Sequence, residues 1–222
     1  MESMSEKNNF LYLVISLVAL LFVGALVDQY PGQLGQQILQ AVTVITLASG
    51  IIGFRSSKLW FHTGIGFVVS VLLVVILGVA LKTTGLSYLH LLILVLFYLG
   101  TIWLAARQVL FTGPIDANKI IGAICIYLLA GLIWAMAYLL IAQAVPGAFN
   151  GLEQVIWYEN FADAAYFSFV TLTTLGYGDI SPVAPIARFL VYMEAIAGVF
   201  YMAILVASLI GIRTSRLRSE ND

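Results

Sequence analysis

Long apolar runs, broken by short polar or Gly/Pro-containing segments, set the pattern of this chain. The first run, Phe10 to about Val27, follows a polar start from Met1 to Asn9 that carries Glu2, Glu6 and Lys7. The acidic start and the lack of a clear small-x-small cleavage site favour an uncleaved first span over a secretory signal peptide. Runs at about Gln36 to Phe54, Trp60 to Leu81 and Leu86 to Leu110 follow. Each is near the roughly 20 residues that a helix needs to cross a bilayer. Pro31-Gly32 and Thr83-Thr84-Gly85 mark the turns between them. After the breaker Thr112-Gly113-Pro114, a fifth run extends from about Lys119 to Val145 and stops at Pro146-Gly147, and a sixth covers about Pro185 to Ile212.

Between the fifth and sixth runs the texture changes. Gly151 to Asn160 is polar and aromatic, and Asn160-Phe161-Ala162-Asp163 reads as a helix start, with Asn160 as cap and Asp163 near the positive end of the helix dipole. From Phe161 to about Thr173 there is room for a helix of roughly 20 Å at about 1.5 Å per residue, too short to span. Such a helix enters the membrane and turns back.

Composition agrees with that pattern. With 62% hydrophobic and 9% charged residues and a mean hydropathy of +1.03, the chain is an integral membrane protein. A net charge of −1 without a basic cluster argues against nucleic acid as a partner. The single cysteine, Cys125, lies in an apolar span, so neither a disulfide framework nor a cysteine metal site is available and a buried inert thiol is expected.

The end of the short helix runs into Thr171-Leu172-Thr173-Thr174-Leu175-Gly176-Tyr177-Gly178-Asp179. A potassium ion without its water needs a ring of oxygens, and backbone carbonyls supply one if successive peptide planes all point inward. Carbonyls of an ordinary strand alternate sides, so aiming them one way requires residues that tolerate φ > 0 at intervals, which accounts for Gly176 and Gly178. Thr174 adds a hydroxyl oxygen at the inner end. A Gly-Tyr-Gly turn in an arbitrary loop is the plain alternative, opposed by the flanking threonines and Asp179 and by the position between two spans.

Thr174-Leu175-Gly176-Tyr177-Gly178 resembles the TVGYG selectivity filter of potassium channels, with Leu175 in place of valine. The resemblance is strong over about Phe161 to Ile212, modest over the fifth span, and rests on topology alone for the first four. It implies an all-α membrane protein of six transmembrane helices with a re-entrant pore helix and a filter loop. A four-helix membrane domain would occupy residues 1–112 and the pore domain residues 113–222. One chain supplies one ladder of oxygens, so the resemblance implies a homotetramer in the lipid bilayer that passes K+ passively, with K+ held at Thr174, Leu175, Gly176 and Tyr177. The negative end of the pore-helix dipole would face the ion path. Family lining positions carried over one by one give Val199, Met202, Val206 and Ile210 as the inner wall, with Thr173 and Thr174 at its roof. A hydrophobic constriction near Val206 or Ile210 would gate by dewetting. Gly198, twenty residues beyond Gly178, falls at the flexible glycine of the inner helix, where a bend and a close helix contact explain it equally well.

Two further positions are candidates for filter support. Tyr166 and Asp179 stand where the family often places an aromatic donor and a carboxylate, although tyrosine replaces the commoner tryptophan. Glu194 is the one carboxylate inside a span, which makes it a functional candidate by default. It reads either as a protonated or hydrogen-bonded prop for the pore helix, reaching Ser168, Thr171 or a tyrosine, or as a pH-sensitive filter gate.

Basic residues set the orientation. With six spans and a cytoplasmic N-terminus, Lys7, Arg55, Lys58, Arg107, Lys119, Arg213, Arg216 and Arg218 fall inside and Lys82 and Arg188 outside, as the positive-inside rule expects. Both termini are then cytoplasmic, and a bacterial plasma membrane is the expected location. The fourth span carries Arg107 alone, near its cytoplasmic end, so weak or no voltage dependence is expected. The first four spans are left as a structural collar, with lipid or tension sensing open. His62 and His90 lie near span ends, where interfacial packing is expected. About ten residues follow the sixth span, too few for a soluble ligand-binding domain. A transporter or membrane enzyme finds no support in paired intramembrane carboxylates or nucleophile-base sets. A non-conducting or regulatory pore subunit and a weakly selective cation channel stay open as alternatives.

Overall fold

Every apolar run forms one helix in the structure, a computed structural model. It describes residues 9–30, 32–54, 58–81, 85–111, 117–152 and 157–219, excepting the side chains of 9, 33, 58, 79–81, 110–111, 117 and 206–219. The elements are α1 (Asn9–Gln29), α2 (Gln33–Gly53), α3 (Lys58–Leu81), α4 (Gly85–Phe111), α5 (Ala117–Ala144), β1 (Phe149–Asn150), α6 (Phe161–Leu172), β2 (Ser181–Pro182) and α7 (Pro185–Ser219). Six of these helices are long and apolar enough to cross a membrane, and α6, at 12 residues, is not.

The chain is therefore an α-helical multi-pass membrane protein, with two small departures from the sequence reading. β1 and β2 pair antiparallel as a two-residue ribbon, Phe149 opposite Pro182 and Asn150 opposite Ser181. α7 runs past Ile212 to Ser219, because Arg213 to Ser219 contains no glycine or proline to stop it. At the start of α6, Asn160 stands at the cap position without a side-chain cap bond, and its carbonyl accepts from the Ala164 amide at 2.9 Å. Asp163 lies in the first turn as expected.

The core draws on all of α1 to α6. Phe10, Leu13, Leu17 and Leu20, at helical steps of three and four, line the buried face of α1 and share one apolar cluster with Leu129 and Leu132 of α5 and Phe161 and Ala164 of α6. In lipid the hydrophobic effect does not drive helices together, so close contacts and buried hydroxyls must do so. Gly24 of α1 shows the first: a Cβ there would lie 2.8 Å from ring carbons of Phe161. The α1–α2 seam shows the second. Ser16 and Ser49 hydroxyls meet at 2.6 Å, and Thr46 Oγ1 donates to the Ser16 carbonyl at 3.3 Å.

α7 is the exception to this packing. Only 11% of its spanning window is buried by its own chain, against 50% for α5, and Phe189, Tyr192, Ile196, Phe200 and Ile204 are exposed. Cys125 is buried and free, as the sequence led us to expect. His90 is buried inside the chain with its ring 5.0 Å from that of Trp157, edge to face.

A side chain added where α1 meets the pore-helix entry should be felt directly. Gly24→Val is expected to cost about 1–3 kcal/mol through overpacking, and Phe161→Leu in the same chain should relieve part of it. Thermal unfolding of the four members of this cycle in detergent checks the coupling. Additive costs would mean that the two residues do not touch.

Candidate pore loop and its supports

α6 ends at Leu172, and the turn at Thr173 (φ −85°) leads into a backbone of alternating hand. Thr174, Gly176 and Gly178 have φ of 60°, 57° and 84°, whereas Leu175 and Tyr177 between them do not have positive φ. This alternation turns successive amides to one side and leaves the carbonyls on the other, which an ordinary strand cannot do. The sequence pointed to Gly176 and Gly178. It did not point to Thr174, because a β-branched residue at positive φ is an outlier costing roughly 1–2 kcal/mol.

Hydrogen bonds to the last turn of α6 hold that strained start. The Thr174 amide donates to Thr171 O at 2.9 Å, and the Leu175 and Gly176 amides both donate to Val170 O at 2.9 and 3.3 Å. The Thr173 hydroxyl turns back onto Phe169 O at 2.7 Å. Thr173 to Asp179 are all exposed in the single chain, with Leu175 and Tyr177 more than half so.

At the outer end the expected Tyr166–Asp179 link is present. The Tyr166 hydroxyl donates to Asp179 Oδ2 at 2.7 Å, and the Tyr166 and Tyr177 rings stack at 6.5 Å with planes 8° apart. That hydrogen bond holds the Asp179 carboxyl below its usual range and raises the Tyr166 phenol. The β1–β2 ribbon closes the frame by joining the segment before α6 to the segment after the loop. The Val183 and Ala184 amides donate to Ala148 O at 2.8 and 3.1 Å.

Behind the loop, α6 is bound to both neighbouring helices. Glu194 is fully buried, and its two carboxyl oxygens have separate partners. The Tyr138 hydroxyl of α5 donates to Oε2, and Ser168 Oγ of α6 lies 2.5 Å from Oε1. Ser168 Oγ also lies 2.7 Å from the Gly131 carbonyl of α5. Of the partners foreseen for Glu194, Ser168 is one and Thr171 is not; the tyrosine is Tyr138, 56 residues away in the chain. The Tyr138 ring packs tilted against Phe167 at 5.1 Å and edge to face against Phe149 at 5.5 Å, which fixes it.

Gly198 is a close-approach glycine. A Cβ there would sit 2.1 Å from the Leu172 carbonyl oxygen, so α7 touches the end of α6 backbone to backbone. Val199 and Met202 are exposed on α7, away from the buried line of Glu194 and Gly198. The side chains of Val206 and Ile210 lie outside the described residues.

A multi-pass chain that folds a short helix and an exposed backbone loop between its last two spans has the architecture of a channel pore unit. The family whose model is described as ion channel matches residues 122–214, from α5 through the loop and into α7. The chain is also similar to the inward rectifier potassium channel Kirbac3.1 of Paramagnetospirillum magnetotacticum, 36% identical over 91 residues. That match covers 41% of this chain and 28% of the relative. No solved structure matches. Over residues 122–214 the chain is thus similar to ion channels, a potassium channel among them.

The contact at Gly198 yields a direct check. Gly198→Ala drives a methyl into the Leu172 carbonyl, which a backbone atom cannot avoid, and is expected to destabilise by about 1–3 kcal/mol or more. Ala197→Gly, on the exposed side of the same turn, should cost no more than about 1 kcal/mol by helix propensity alone. Thermal midpoints in detergent measure both, and equal costs would argue against the close contact.

Proposed function

We propose that this chain forms a potassium-selective channel and conducts K+ passively as a homotetramer in the plasma membrane. The observation that carries this reading is the alternation of hand at Thr174, Gly176 and Gly178. It suits a ladder of carbonyls that replaces the hydration shell of a K+ ion. In that ladder the carbonyls of Thr174, Leu175, Gly176 and Tyr177 and the Thr174 hydroxyl hold the ion, and Gly178 supplies the last left-handed step. The similarity to a potassium channel over the pore half supports the choice of ion.

Four copies are supported by what a single chain leaves open. An exposed loop and an apolar α7 buried over only 11% of its span are surfaces that further copies would cover. Residues 113–222 form the pore domain in this reading, and residues 1–112 a membrane domain around it. Val199 and Met202, both exposed on α7, line the cavity below Thr173 in this reading. Both termini are cytoplasmic in this reading, which the excess of basic residues on one side supports.

Voltage is not the stimulus in this reading. Moving one charge through the full field yields about 2.3 kcal/mol per 100 mV, and steep gating takes several such charges in each subunit. α4 offers Arg107, whose guanidinium lies 5.8 Å from the Trp103 ring centre, an anchorage suited to an interfacial residue.

Purified protein in liposomes provides the test, with flux driven in turn by potassium, rubidium and sodium gradients and barium added as blocker. Barium-sensitive flux that rejects sodium is the expected result, and a steep conductance–voltage relation carried by gating charge would contradict the voltage-insensitive part. Flux that admits sodium would replace this reading with a weakly selective cation channel. Absence of flux under every gradient would favour a pore subunit that conducts only with another chain.

A further inference from the structure

Proton counting around Glu194 settles more than its role as a prop. Three short polar contacts meet there: Tyr138 hydroxyl to Oε2, Oε1 to Ser168 Oγ at 2.5 Å, and Ser168 Oγ to Gly131 O at 2.7 Å. The Gly131 carbonyl cannot donate. Tyr138 and Ser168 carry one proton each, and the Tyr138 proton is spent on Oε2. An ionised Glu194 would leave two protons for three contacts. If Ser168 then donated to Glu194, its oxygen would face the Gly131 carbonyl at 2.7 Å with no proton between. If it donated to Gly131, it would face a carboxylate oxygen at 2.5 Å in the same way. Sharing one proton between both acceptors lengthens both contacts, yet each distance is at or below the usual O–H···O separation.

We propose that Glu194 is held as a neutral carboxylic acid that positions the pore helix, and that losing its proton loosens the filter. The relay runs Tyr138 O–H to Oε2, Oε1–H to Ser168 Oγ, and Ser168 O–H to Gly131 O, three contacts with three protons. It ties α5, α6 and α7 together at one buried point. The surroundings suit a neutral acid. Glu194 has no exposed surface, and among the described residues it has no lysine, arginine or histidine partner. The titratable groups that face it are the Tyr138 and Tyr127 phenols of α5, which offer no positive charge. An ionised carboxylate would be buried without compensation and would break one of the two Ser168 contacts.

Ser168 lies two residues before Val170, whose carbonyl accepts the Leu175 and Gly176 amides. A displaced Ser168 turn therefore shifts the anchor of the loop itself. Glu194 acts as a positioning residue that does not touch the ion. The proton also gives the pore a direction of pH response. The bolt is complete in acid and at neutral pH and is lost as the pH rises and the proton leaves, so stability and flux fall on the alkaline side.

The effect on flux rests on the reading of the loop as a K+ filter, whereas the protonation state does not. Infrared spectroscopy of the full chain in lipid, with glutamate carboxyls labelled with carbon-13, reads the proton directly. At neutral pH the wild type is expected to show a protonated-acid carbonyl stretch that is absent from Glu194→Gln and fades in alkali. Its absence at neutral pH would overturn the proposal, with or without channel activity. In liposomes, potassium flux of the wild type should fall about tenfold across the pH range in which the band fades. Glu194→Ala should be low throughout. Glu194→Gln, whose amide accepts from Tyr138 and donates to Ser168, should rescue the alanine loss and abolish the pH dependence. A wild-type flux that ignores the fading of the band would overturn the positioning role. The band with no flux from any variant would overturn the channel reading and leave the proton assignment in place.

Discussion

A row of backbone oxygens facing one way is the constraint on which the rest of this structure depends. Regular strands cannot provide it, because their carbonyls alternate, so every second residue must adopt a left-handed conformation. Glycine meets that demand at 176 and 178. At 174 the residue is threonine, and its backbone strain persists only because the surrounding bonds over-determine it. Those bonds come from the carbonyls of Val170 and Thr171. The loop thus hangs from the last turn of α6, and its geometry can be no better than the placement of that helix.

A 12-residue helix is marginal on its own, so α6 owes its position to what surrounds it. Each of its neighbours uses a different device. α5 supplies Tyr138, which packs with Phe149 of β1 and Phe167 of α6, together with the Gly131 acceptor for Ser168. α7 supplies Glu194 and, one turn on, the backbone contact at Gly198. α1 meets Phe161 at the helix entry. The outer rim relies on a tyrosine–carboxylate bond in an open position, where water competes with it. Buried contacts behind the loop therefore do the holding, and the rim link fixes the orientation of Tyr166 and Asp179.

Local pattern made much of this legible. Spans, breaks and the short helix follow from run length and from Pro/Gly punctuation, and their ends agree with the helices to within a few residues except at the C-terminal end of α7. Tyr166, Asp179 and Glu194 stood out because a resemblance or an intramembrane charge singled them out. Tyr138 did not, since it is one tyrosine among apolar residues and its partner is 56 positions away. Thr174 was not legible as a left-handed residue, because propensity argues against that conformation and only tertiary bonds impose it. The ribbon at Phe149–Asn150 and Ser181–Pro182 is two residues long on each side, below what strand periodicity can reveal. For Gly198, sequence alone left a bend and a close contact level. The Leu172 carbonyl beside it accounts for the glycine without a bend.

The first four helices bear on the pore through packing more than through charge. α1 touches the pore half at both of its ends. Near its start, the Phe10 ring approaches a Cβ built at Gly122 of α5 to 2.9 Å, and Gly24 faces Phe161 at the entry to α6. A helix gripped at two points about 14 residues apart, roughly 21 Å at the α-helical rise, cannot tilt without moving one of them. The Ser16–Ser49 and Thr46–Ser16 hydrogen bonds then join α1 to α2, and α4 lies along α5. Each contact uses a small residue or a short side chain, which leaves little slack between the backbones. Interiors packed this closely transmit displacement instead of absorbing it. A displacement of α1 therefore bears on Phe161 at the start of α6, the helix from which the loop hangs.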